Sequence, residues 1–175
     1  MKLIYTALIV LLALMTSAQC QQTADDWFNK GELLLNLGEY NEAVDAYNKA
    51  IELNQSNATV WKQKGNALLN LTKYQESLEC NNKAIKLDPK YAFAWNNKGV
   101  ALFYLGEYDN AIKAWDESIR LDSNNSDAWE NKGHALDRQG KYEEAAKAFG
   151  EANRLDPKKY DTWNATKYKL DHSPD

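Results

Sequence analysis

Histidine and cysteine are scarce in this chain of 175 residues, with two of each, and that scarcity removes whole classes of chemistry. A metal centre built from imidazole and thiolate needs several such ligands at set spacings, and no such cluster occurs. No nucleophile stands beside a base with a local signature, and no glycine-rich loop of the phosphate-cradling kind is present. His134 and His172 are isolated, and paired carboxylates such as Glu143 and Glu144 read as a solvated helix face. The expectation is no enzyme, no cofactor and no metal. Three prolines and eight glycines are too few turn-formers for an all-β chain. A net charge of −4 without a basic stripe excludes a nucleic-acid surface, which must neutralise phosphates.

Long apolar runs are also missing, with one exception. Met1 and Lys2 precede an apolar stretch from Leu3 to Met15, followed by Thr16, Ser17 and Ala18. The stretch is shorter than the roughly 20 residues of a membrane span. One positive charge, a short apolar segment and small residues before a cut read as a secretory signal over residues 1–18. An uncleaved anchor is the competing reading. Cys20 opens a third, lipidation, although Gln19 stands where a small residue is expected before a lipid-bearing cysteine. Cys80, the other cysteine, lies far away in a predicted helix, so the two do not make a disulfide framework. Residues 19–23 are a short linker that would keep a tethered protein close to the membrane. The expected location is outside the cytoplasmic membrane, extracellular or in the cell envelope, secreted or membrane-anchored.

Tryptophan is abundant and evenly placed. Trp27, Trp61, Trp95, Trp129 and Trp163 are each 34 residues apart, without insertion or deletion. On the same period glycine recurs at Gly31, Gly65, Gly99 and Gly133, leucine at Leu34, Leu68, Leu102 and Leu136, and tyrosine at Tyr40, Tyr74, Tyr108 and Tyr142. Each period reads as two helices. In the third, Tyr108, Ala111, Ile112, Trp115 and Ile119 form an apolar stripe of helical spacing. Between the helices, Gly38, Gly106 and Gly140 suit the left-handed residue that closes a helix, whereas Thr72 takes that place in the second unit and predicts a strained turn. Pro89 and Pro157 end two of the second helices. A glycine inside a helix costs about 1 kcal/mol relative to alanine, so close helix approach must offset it. The indole one turn earlier is the expected neighbour.

This order of residues resembles the tetratricopeptide repeat family, whose repeat carries W, L, G, Y, A, F, A and P at set places. The resemblance implies an all-α, right-handed superhelix of helix-turn-helix units at 24–57, 58–91, 92–125 and 126–159. A capping helix at 160–171 and a tail at 172–175 would follow, because the last Trp is repeated but Lys167 replaces the glycine. It further implies that the first helix of each unit lines a concave groove, contacting ligand from its second, fifth, sixth, ninth, twelfth and thirteenth positions. The sixth position is an amide in every unit: Asn29, Gln63, Asn97 and Asn131. Such a ladder can both donate to and accept from an extended backbone, or simply satisfy neighbouring helices and water.

Some members of the family grip a terminal carboxylate with a clamp that Lys62, Asn66 and Asn97 match here, but Asp127 brings the wrong charge to it. Tyr104 and His134 are further groove candidates, with Phe103 assigned to the core. Lys30, Lys64, Lys98 and Lys132, each before a glycine, read as stems laid over apolar surface. The implied function is a non-catalytic scaffold that binds an extended peptide or partner protein in its groove. The alternative is a carbohydrate-binding or structural envelope protein. If the chain is exported, sequons at Asn54, Asn57, Asn70, Asn124 and Asn164 become candidate glycosylation sites.

Overall fold

Eight α-helices follow one another in a computed structural model that describes residues 22–158. They are α1 (Ala24–Leu37), α2 (Tyr40–Leu53), α3 (Ala58–Asn70), α4 (Tyr74–Leu87), α5 (Ala92–Tyr104), α6 (Tyr108–Leu121), α7 (Ser126–Arg138) and α8 (Tyr142–Leu155). The expected signal at 1–18, most of the linker with Cys20, the capping helix, the tail, Trp163 and Asn164 lie outside the described residues.

Local chemistry sets the helix ends. Thr23 opens α1 with a capping box: its hydroxyl accepts from the Asp26 backbone N–H at 3.1 Å, while its own N–H donates to Asp26 Oδ2 at 2.8 Å. Asn57 and Asn125 cap α3 and α7 with the side-chain oxygen alone, accepting from the backbone N–H of Thr59 and of Ala128. The turns within units are left-handed at Gly38, Gly106 and Gly140, and Thr72 adopts φ 58° in their place. A Cβ at that φ costs about 1–2 kcal/mol. Thr72→Gly is therefore expected to raise stability by about 1 kcal/mol after the unfolded-state entropy of glycine is subtracted, read as a higher urea midpoint at unchanged slope.

Within each unit the two helices pack through a small-residue contact. A Cβ built on Gly31 would lie 2.5 Å from Cε1 of Tyr47, and one on Gly99 would lie 2.6 Å from Cε2 of Trp115. Gly65 meets Asn81 and Gly133 meets Phe149 in the same way. The nearest neighbour of each repeated glycine is thus the side chain sixteen residues later, on the second helix. This differs from the sequence expectation of the indole one turn earlier, and the reason is direction: side chains on a helix lean toward its N-terminus, so the glycine's bare face receives a ring from across the interface.

The repeated tryptophans do other work. Trp61 Nε1 donates to the carbonyl of Gln55 at 3.0 Å, Trp95 Nε1 to that of Pro89 at 3.1 Å, and Trp129 Nε1 to that of Ser123 at 3.4 Å. Each half-buried indole pins the junction that precedes its own helix, fixing how one unit follows another. Small buried residues such as Ala43, Ala111 and Ala145 allow the pairs to approach, and apolar clusters run across unit boundaries. No unit closes a core alone, so stability resides in the interfaces.

Consecutive first helices, α1 to α3, α3 to α5 and α5 to α7, touch directly, whereas consecutive second helices do not. The first helices therefore lie on the inside of the curve and the second helices on the outside.

Candidate functional site

The inner surface divides into two halves of different character. In the half made by α1 and α3, polar groups bond to one another. Tyr47 Oη donates to Glu32 Oε1 at 2.5 Å, Gln63 Nε2 donates to Glu32 Oε2 at 2.7 Å, and Lys62 Nζ donates to Gln63 Oε1 at 2.9 Å. Burial pushes the Tyr47 hydroxyl well above the ordinary range, reinforced by the Glu32 carboxylate that accepts its proton. Burial lowers the Lys62 pKa, while the Glu32 charge pulls it back up. Lys62 also sits 5.7 Å from the centroid of the Tyr91 ring. Both ends of the Gln63 amide are occupied, so this member of the amide ladder holds α3 against α1.

The half made by α5, α6 and α7 is open. A cavity of about 280 Å³ lies there, lined by Val100, Phe103, Tyr104, Asn131, His134 and Arg138, with Trp115 and Asp137 completing it. Tyr104 is exposed and stacks on Tyr74, with ring centroids 4.7 Å apart and planes 7° from parallel. Phe103 meets it edge-on at 5.6 Å and also packs into the core. His134 rests edge-on against Phe149 at 5.0 Å, and its Nε2 is 3.9 Å from Glu130. An aromatic wall, an amide, an imidazole and an exposed guanidinium converge on one concavity, the combination that orients a polar chain over an apolar contact.

The structure therefore brings Tyr104, Asn131 and His134 together and leaves other candidates apart. Asn97 is half-buried on α5 and does not line the cavity, Asn29 is exposed on α1, and Asn66 is half-buried, its carbonyl receiving the Asn70 amide at 3.0 Å. Asp127 is exposed at the start of α7. Sequence reasoning did not single out Arg138 or Asp137. They occupy the thirteenth and twelfth positions of α7, already named as ligand-facing, and that register was the signal available.

Among the sequons, Asn54, Asn70 and Asn124 are exposed, while Asn57 is committed to the α3 cap. The Cys80 thiol is buried and its pKa pushed up to about 11 by burial, so it stays protonated and a poor nucleophile. Among the described residues no group of His, Cys, Asp and Glu could hold a metal ion.

Family models for the tetratricopeptide repeat match residues 24–57 and 58–91, and a second such model matches 96–160. The chain belongs to the tetratricopeptide repeat family. Solved structures agree with the fold. MamA shares 23% identity with this tetratricopeptide repeat chain, with a TM-score of 0.73 over 85% of this chain and 86% of that one. YrrB, described as a TPR protein with an unusual peptide-binding site, shares 26% identity at a TM-score of 0.68, covering 84% of this chain and 76% of its own. The first TPR of Spaghetti (RPAP3), solved bound to the HSP90 peptide SRMEEVD, shares 25% identity at a TM-score of 0.66, covering 69% and 95%. Among curated proteins nothing matches the sequence.

Proposed function

We propose that this protein is a non-catalytic interaction scaffold that binds an extended segment of a partner protein along the inner face of α5 and α7. The observation that carries this reading is the concavity where Tyr104, Asn131, His134 and Arg138 converge beside an apolar wall. The peptide-bound and peptide-binding relatives support it at the level of the fold and its general use. The engaged α1–α3 half makes the C-terminal units the recognition end. A carboxylate clamp of the kind that grips a chain terminus is disfavoured, because Asp127 would repel the terminal carboxylate. The partner segment is expected to present backbone to Asn97 and Asn131 and an apolar or aromatic side chain to Tyr104.

The Met1 to Ala18 segment supports a location outside the cytoplasmic membrane, which mass spectrometry of the native N-terminus tests: a chain beginning after Ala18 or at a modified Cys20 agrees with export, and an intact, unanchored Met1 refutes it. Binding is tested with peptide and glycan arrays. Saturable peptide binding is expected, weakened about tenfold or more by Asn131→Ala and by Tyr104→Ala, the range of truncations at a buried anchor, with helicity unchanged. Glycan binding without a peptide signal would overturn the reading in favour of a carbohydrate-binding protein.

A further inference from the structure

A second, larger cavity opens on the outer side of the curve, between α4 and α6 with α5 as its floor, and has a volume of about 490 Å³. This lies within the roughly 300–1,000 Å³ of small-ligand sites. Its apolar base is Trp95, Leu78 and Leu102, and its polar lining is Lys98, Lys113, Asn82, Asn110 and Glu117.

The repeat provides an internal comparison that explains why the cleft forms at the third unit. In the first unit Lys49 lies over the Trp27 ring at 4.1 Å, and in the second Lys83 lies over Trp61 at 5.9 Å, each adding a second ammonium to the one supplied by the lysine before the glycine. At the matching place in the third unit stands Glu117, which also lines the cleft and whose carboxylate accepts from Arg120 at 2.9 and 2.5 Å. The Trp95 indole keeps Lys98 at 5.0 Å but lacks that second cover.

The charge of Lys98 differs from that of its counterpart as well. In the fourth unit Lys132 is neutralised by Asp116 at 2.6 Å. The residue sixteen before Lys98, in the same register, is Asn82. Lys98 and Lys113 consequently make no ion pair among the described residues, and burial lowers the Lys98 pKa, as expected of a partly desolvated ammonium without a counter-charge. In the second unit Glu79 replaces Lys113, so among these junctions the third alone joins an open indole to two unneutralised cations.

We infer that this outer cleft is a binding site for a small organic carboxylate with an apolar or ring-shaped body, the carboxylate held by Lys98 and Lys113 and the body laid on Trp95 and Leu102. Charge complementarity selects the anion: Glu117, the carboxylate in the lining, is paired with Arg120, which leaves Lys98 and Lys113 as the charges facing a ligand, and Asn82 adds an amide donor at the rim. The site is separate from the inner groove, on the opposite side of α5.

The probe is phenylacetate, titrated into the full chain while the Trp95 indole N–H resonance is followed, with neutral 2-phenylethanol and acetate as controls. Saturable shifts are expected for phenylacetate, and at least tenfold weaker binding for each control, since charge and body are both required. Asn82→Asp, which installs the carboxylate that Asp116 gives Lys132, is expected to weaken phenylacetate by about tenfold or more while leaving the fold intact, because Asn82 is exposed. Lys98→Met, which keeps the apolar stem, is expected to abolish binding. No saturable shift, equal binding of 2-phenylethanol or of acetate, or full affinity in Asn82→Asp would each overturn the assignment. Peptide binding in the inner groove is expected to be unchanged in both variants.

Discussion

Trp115→Ala is expected to lower stability by about 3–5 kcal/mol, the range for truncating a large buried aromatic side chain, and to do so in a manner that depends on Gly99. Trp115 is 1% exposed, its ring fills the space that a Cβ on Gly99 would enter, and its Nε1 donates to the carbonyl of Asn96 at 3.2 Å. Gly99→Ala alone forces the indole against a methyl group and is expected to cost about 1–3 kcal/mol from overpacking, partly offset by the better helix propensity of alanine. In the Trp115→Ala background the obstruction is gone. There the same Gly99→Ala change should become neutral or stabilising by up to about 1 kcal/mol, because only helix propensity remains. A double-mutant cycle in urea checks this, with the slope monitored so that unit-by-unit melting is not mistaken for a change in stability. Additive effects would mean that the glycine is retained for some reason other than the ring packed on it.

That coupling marks the boundary of what periodicity alone could reveal. The helix pairs were legible because apolar spacing, left-handed turn residues and helix-ending prolines recur in register, and each is a local property of the chain. The strain at Thr72 was legible for the same reason. The glycine's partner was not, because it depends on how two helices face each other, and the regular tryptophan four residues before each glycine is a more conspicuous signal than the position sixteen after it, which is Tyr47, Asn81, Trp115 or Phe149. The four amides at the sixth position look equivalent in sequence, yet Gln63 is bound into the Glu32 and Lys62 network while Asn131 lines a cavity. What separates them is the residue across the groove. Glu32 has the reach to engage Gln63, and its counterparts in later units, Asn66 and Val100, do not reproduce that pairing. The outer cleft was hidden for a similar reason: it arises from substitutions at three positions of the repeat, each ordinary by itself.

The second unit departs furthest from its neighbours, and replacing its polar pair should stabilise the protein. Asn81 is fully buried where the other units place Tyr47, Trp115 and Phe149, and Ser77 stands where they have alanine. Asn81 Nδ2 donates to the Ser77 carbonyl at 2.9 Å and lies 3.2 Å from its hydroxyl, while Ser77 Oγ donates to the Gly65 carbonyl at 2.8 Å. Asn81 Oδ1 has no partner, and a buried acceptor left in that state costs about 1–3 kcal/mol. Ser77→Ala alone removes one of the few groups facing the Asn81 amide and is expected to destabilise by about 1 kcal/mol. Asn81→Phe together with Ser77→Ala recreates the Ala145 and Phe149 pair of the fourth unit over Gly65. Burying the ring contributes about 1.5–3 kcal/mol, against a packing penalty that is smaller than in an ordinary core because the bare Gly65 faces it. The double variant is therefore expected to exceed the parent by about 1–2 kcal/mol and the Ser77→Ala single variant by more, a sign reversal that equilibrium urea unfolding resolves. A double variant less stable than the parent would show that α3 and α4 have closed around the smaller amide and cannot reopen for a ring, making the polar pair the feature that sets their spacing.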